Sequence, residues 1–374
     1  MSRFVVALAL LVTPCTAVAQ LKGMVPFDVR VLKNPIPVLA EGHDRLVYEL
    51  RVTNVGRRGL AIQRVEVSAD GALLAGWESD SLKNIALRIG EGGDGRVVGP
   101  GKQVLLYLLV SVPPGAAPKR LDHRFLITAA DSLDGPAPDT LSNYRVTVDS
   151  HTPPVIRSPL SDGPWVAVNG PGNKSGHRRT VIPLEGVGRV AQRFATDWIK
   201  LGADGHGWKG DSTKNENWYG YGEPLHAVAA GKVVATKDAI IENVPFSPKM
   251  AVPITLETVG GNHVILDLGN GNYAFYAHMI PGSLTVKLGD KVSAGQVIGR
   301  LGNSGNSTAP HLHFHTGDAP SPLGAEGVPF VIDEYSDLGT AGKFVEAWTP
   351  SGPATPKRRE LPLENHVVRF KSMP

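Results

Sequence analysis

The sequence predicts a mainly β protein, in which an N-terminal antiparallel β-sandwich, immunoglobulin-like in its strand spacing, precedes a second β-sheet unit. Three observations predict this class. The 43 glycines and 30 prolines among 374 residues supply turns at short intervals, which suits short strands better than long helices. Leu46, Tyr48, Leu50 and Val52 alternate with Glu49, Arg51 and Thr53, the period-2 pattern of a half-buried strand. Two later stretches, Gly222 to Thr236 and Gly289 to Gly302, resemble each other, as expected of a compact β-structure made of two similar halves.

Residues 1–19 read as a secretory signal peptide: Arg3, an apolar run from Phe4 to Val12, and the small residues Ala17 and Ala19 before a cleavage point. The run is far shorter than the ~20 apolar residues of a spanning helix, so no membrane span is expected in the mature chain. Cys15 is the only cysteine and lies inside this segment. The exported chain would then hold no disulfide and no thiolate metal site, which leaves His, Asp and Glu as ligands.

The sandwich is expected over residues 20–150, where LAIQRVEV, QVLLYLLVSV, RFLITA and YRVTVDS follow one another between turns. It carries no catalytic constellation and reads as a spacer or binding module. Pro153, Pro154, Pro159, Pro164 and Pro171 mark residues 151–180 as a linker or extended wrap. The second unit is expected over 181–335, interrupted by insertions at Leu201 to Tyr221 and Lys237 to Val252. Residues 336–374 form a C-terminal extension in which Lys343 to Trp348 would add one more element. A formal charge of +3, with no dense basic run outside the short PKRRE patch, gives nucleic-acid binding little support.

The sharpest chemical signal is PHLHFH. His311, His313 and His315 stand at i, i+2 and i+4, so on a strand all three imidazoles face one side, an arrangement suited to a divalent metal, zinc first. Upstream, Gly269-Asn270-Gly271 signals a hairpin, and His278 ends the strand that follows it.

The combination of GEPLHAVAAGKVV, GNHVILDLGNGNYAFYAHM and VKLGDKVSAGQVIGRLGNSGNSTAPHLHFH resembles the lysostaphin/LytM family of zinc metallopeptidases, over roughly Val190 to Val331. The resemblance implies a LytM-like peptidase domain at 181–335 and an exported, periplasmic or extracellular enzyme cutting peptide cross-links of peptidoglycan with one Zn2+. It implies Asp197 and His313 as zinc ligands and His311 as a catalytic histidine that accepts or relays a proton. His278 would be its partner, hydrogen-bonding a developing oxyanion.

The chain departs from the pattern at one point. The family places a ligand histidine four residues before the aspartate, where this chain has Arg193, which offers a metal no lone pair. His177 and His206 are the candidates for the third ligand. His315 shares the strand face but stands one repeat, ~7 Å, past His313. Arg193 also supports an alternative: an inactive LytM-like module that binds wall or regulates a partner wall hydrolase. Trp208, Trp218, Tyr219 and Tyr221 in the first insertion would form either a sugar- or peptide-stacking rim or a self-packed loop.

Overall fold

Residues 25–90, 92–133, 139–342, 347–350 and 352–373 are described by a computed structural model of the chain. The expected signal peptide at 1–19, with Cys15, lies outside the described residues, as does 343–346 of the element expected at Lys343 to Trp348.

The first half is a pair of facing antiparallel sheets. One runs in the order Phe27–Val31, His43–Asn54, Gln103–Val112, Ala86–Arg88. The other runs Asp139–Thr147, Arg120–Ala129, Leu60–Ala69, Ala72–Glu78. Leu46, Tyr48, Leu50 and Leu106 from the first sheet meet Ile62, Val65, Phe125 and Ile127 from the second in one core. The Tyr48 hydroxyl crosses that core to donate to His123 Nε2 at 2.8 Å.

The period-2 reading of His43–Asn54 holds on the inner face but not on the outer one. Val47, with Val38 and Ala40, belongs to the core of the neighbouring large sheet, so this first sheet is covered on both sides. Such strands lose their alternation and approach a continuous apolar run, which QVLLYLLVSV already shows. Glu49, expected on a wet face, is completely buried.

The second half is built on an 11-stranded sheet. Its middle strands run in the order Trp165–Val168, Thr196–Lys200, Leu312–Gly317, Asn272–Met279, Asn262–Gly269, Gly231–Lys237. The Pro-rich stretch expected as a linker or wrap gives this sheet Val155–Ile156 and Trp165–Val168. The expected hairpin joins Asn262–Gly269 to Asn272–Met279, with Asn270 and Gly271 both in the left-handed region at φ 53° and 73°. The two look-alike stretches pair with each other: Pro224–His226 with Val297–Arg300, and Gly231–Lys237 with Lys291–Val292.

The first insertion turns Trp208 and Trp218 onto each other, onto the second insertion and onto the sheet. Trp208, Trp218 and Phe246 cluster at 5.0 to 6.0 Å between ring centres, and Trp218 is buried with its indole N–H donated to the Ser212 carbonyl. Among the described residues no helix is long and apolar enough to cross a membrane.

Phe314 fixes the histidine strand to the core beneath it. It is fully buried and meets Tyr276 and Phe330 edge-on, each at 5.2 Å. Phe314→Ala should lower the unfolding free energy by about 3–5 kcal/mol in urea titration. Leu256→Ala, at a residue 62% exposed, should change it by less than about 0.5 kcal/mol. Equal, small losses from both would contradict this packing.

Candidate metal centre and active site

Strand register gathers the site. Asp197 on Thr196–Lys200 lies directly opposite His313 on the histidine strand, and His313 lies opposite Ala277 on its other flank, one residue before His278. Alternation along Leu312–Gly317 sends Phe314 into the core and His313 and His315 to the opposite face. A cleft of about 480 Å³ opens there, lined by His177, Asp197, His278, His311, His313 and His315 among others. Of the sequence-predicted residues, His177, His278, His311, His313, His315 and Asp197 thus share one cavity.

Asp197 is the hub. One carboxylate oxygen is 2.9 Å from His313 Nδ1 and 3.3 Å from His311 Nε2. The other accepts from Asn169 Nδ2 at 3.0 Å and lies 3.4 Å from His177 Nε2. Burial alone would raise this carboxyl, but the surrounding imidazoles, His177 and His311 foremost, hold it well below the usual carboxylate range.

His177 arrives from the loop after Trp165–Val168, folded back on itself. The Asn169 carbonyl accepts from both His177 Nδ1, at 3.0 Å, and Ser175 Oγ, at 2.8 Å. With Nδ1 bound to that carbonyl, Nε2 is the atom turned toward Asp197, and it has a lone pair to offer once its proton is given up. His177, Asp197 and His313 each offer one atom, all within 4.8 Å of one another. Two imidazoles and one carboxylate on that scale fit a single catalytic-type zinc. His206, the other candidate for third ligand, is placed elsewhere: it packs in the aromatic loop, 6.1 Å from the Trp208 ring, and does not line the cleft.

Arg193 points away from the cleft, its guanidinium buried between Glu49 and Glu326 at 2.8 Å each. Its neighbour Gln192 does line the cleft, with Nε2 3.4 Å from His313 Nε2. His315 is closer than strand spacing alone suggests. Its Nδ1 is 3.0 Å from His313 Nε2 and its ring stacks on Phe275 at 4.4 Å, so it props the His313 ring from behind.

His278 and His311 flank the carboxylate with ring centres 4.8 Å apart. Each gives its Nδ1 proton to a backbone carbonyl, His278 to Ser304 and His311 to Ala309, both at 2.8 Å. That leaves Nε2 of His278 turned to the cleft and Nε2 of His311 beside the Asp197 carboxylate. His278 has φ 66°, rare for a residue with a Cβ, and its backbone N–H is tied to the Gly260 carbonyl at 2.9 Å. The Ser304 carbonyl is fixed in turn by close packing: a Cβ on Gly261 would stand 2.3 Å from that oxygen.

The two rings differ in charge preference. Burial, then His311 and His313, pushes His278 well below the usual imidazole range. Burial also opposes charge on His311, but Asp197 outweighs it and holds His311 above its ordinary value. A neutral His278 with its proton on Nδ1 presents a lone pair at Nε2. In that form Nε2 can accept a hydrogen bond, and donating one to an oxyanion requires that it be protonated.

Residues 219–322 match peptidase family M23. The chain carries a peptidase family M23 domain. The matched residues include His278, His311 and His313, while His177 and Asp197 precede them. The glycyl-glycine endopeptidase ALE-1 of Staphylococcus capitis is 48% identical over 56 residues, 15% of this chain and 15% of its own length. Lysostaphin of Staphylococcus staphylolyticus is 37% identical over 139 residues, 36% of this chain and 25% of its own. The peptidoglycan DD-endopeptidase ShyA of Vibrio cholerae is 36% identical over 93 residues, 25% of this chain and 17% of its own. The chain thus spans a quarter or less of the length of these M23 relatives.

The Asp197–His311 contact has a signed consequence for the metal-free M23 domain. His311 is raised on folding, so the pair adds stability that is full below the unfolded imidazole value of about 6.5 and is lost as pH rises through the folded value. Asp197→Asn removes the only charge favouring imidazolium, so the His311 pKa measured by NMR should fall below that of the unaltered chain. An unchanged value would show that Asp197 does not govern this ring.

Proposed function

We propose that the chain is an exported zinc metalloendopeptidase that hydrolyses peptide cross-links of bacterial peptidoglycan. The observation that carries this reading is the convergence of His177, Asp197 and His313 in a cleft that His278 and His311 also line. The M23 domain, in a zinc-dependent family, and relatives named a peptidoglycan DD-endopeptidase and a glycyl-glycine endopeptidase support the reaction class and substrate.

In this reading His177 Nε2, His313 Nδ1 and an Asp197 oxygen hold the ion. A bound zinc supplies Lewis acidity, which polarises the scissile carbonyl and lowers the pKa of water toward ~7. His278 Nε2 accepts a hydrogen bond from the attacking water and orients it. His311, whose charge the adjacent Asp197 carboxylate steadies, takes the water's proton and passes it to the leaving amine. His315 Nδ1 accepts the His313 Nε2 proton and so keeps the His313 ring in place.

Arg193 is the feature that favours a second reading, an inactive M23-type module that binds wall. Metal content and turnover separate the two. The purified chain should hold about one zinc and release soluble fragments from peptidoglycan. His177→Ala, Asp197→Ala and His313→Ala should each lose the metal. His278→Ala and His311→Ala should keep it while turnover falls by at least about 100-fold. A chain that takes up no zinc and leaves peptidoglycan intact would establish the binding module instead.

A further inference from the structure

The position four residues before Asp197 has been diverted to another task, and that task bears on the metal site. Arg193 donates to Glu49 on the N-terminal sandwich through Nε at 2.8 Å. Arg178, the residue after His177, donates to the other oxygen of the same carboxylate, also at 2.8 Å. All three side chains are at most 1% exposed. Arg178 further donates through Nη2 to the Tyr48 and Leu108 carbonyls at 2.9 and 2.8 Å, both on sandwich strands, and through Nη1 to Asn173.

One buried carboxylate therefore grips two guanidiniums. The first anchors the turn leading into the Asp197 strand, and the second anchors the loop that presents His177. That loop has no strand partner over residues 169–180 and is held by Arg178, Arg179 and its own internal hydrogen bonds. With Arg178 released, the loop would lose its grip on Glu49, Tyr48 and Leu108 and keep the bonds of Arg179 to Asn84 and Tyr107, while His177 itself would keep Asn169, Asp197 and the edge of the His313 ring.

We propose that Glu49 is a positioning residue for the metal centre, acting through Arg178 on His177, so that the ion is held in full only when the sandwich is docked on the peptidase sheet. The sandwich is then a working part of the site. The proposal rests on the zinc reading above, and the test separates the two. By linkage the coupling is reciprocal, so zinc tightens the docking of the sandwich as well.

The test is a cycle of zinc affinities on the full chain, read by competition with a chelating indicator. Glu49→Gln should weaken zinc by about 10- to 100-fold, the range for lost support behind a ligand. In a His177→Ala background the same change should weaken it no further, because its route to the metal is already gone. Hydrogen exchange of the metal-free chain should rise over 169–180 in Glu49→Gln but not in Glu326→Gln, which frees one contact of Arg193 and leaves Arg178 alone. If Glu49→Gln does not fold, Arg178→Lys takes its place: it keeps the charge but cannot span Glu49, Tyr48 and Leu108, and the same pattern is required of it. Unaltered affinity in the variant, or losses that multiply in the double variant, would overturn the positioning role. Failure of the unaltered chain to bind zinc would overturn the metal reading and the coupling with it.

Discussion

The second half of the molecule is organised around a carboxylate that cannot be left alone. Asp197 is shut away from bulk water, where an isolated charge is strongly disfavoured, yet imidazoles and the Asn169 amide surround it closely enough to keep it ionised. Four neighbours from two separate segments, the 169–180 loop and residues 311–313, must converge on the Asp197 strand for that to hold. Direct opposition of Asp197 and His313 in the sheet supplies one of them, and slipping either strand by a single residue would turn its side chain to the other face. The register of the middle strands and the charge state of Asp197 are in this sense one constraint.

A second buried carboxylate, Glu49, solves the same problem differently. It is neutralised by guanidiniums, which keep their protons and have no lone pair for a metal. Imidazoles around Asp197 can exchange a proton for an ion; the arginines around Glu49 cannot. The first arrangement is reactive and the second is a fixed joint. Arg193 stands at the point in the sequence where the two could have been confused, and the structure assigns it to the joint.

Much of this was legible in the sequence. The β class followed from turn density and alternation, and the hairpin at Asn270-Gly271 from its residues. The common face of His311, His313 and His315 followed from period 2. Asp197 and His278 were found through motif resemblance, and the structure brings both to the same cleft. Three features were hidden. His177 was one of two candidates, because a loop histidine has no period and only tertiary folding distinguishes it from His206. Glu49 read as a wet-face residue, because alternation cannot show that a second sheet covers that side; the near-continuous run in Gln103–Val112 was the available hint. The acceptor character of His278 depends on which carbonyl meets its Nδ1, and no sequence pattern encodes that contact.

The central claim is that one ion sits between Asp197, His313 and His177. Anomalous diffraction at the zinc edge, from crystals grown with zinc, tests it most directly. The account predicts a single strong peak contacted by one oxygen of Asp197, Nδ1 of His313 and Nε2 of His177. A peak bound by His278 and His311 instead, or one with His177 swung into solvent, would contradict it.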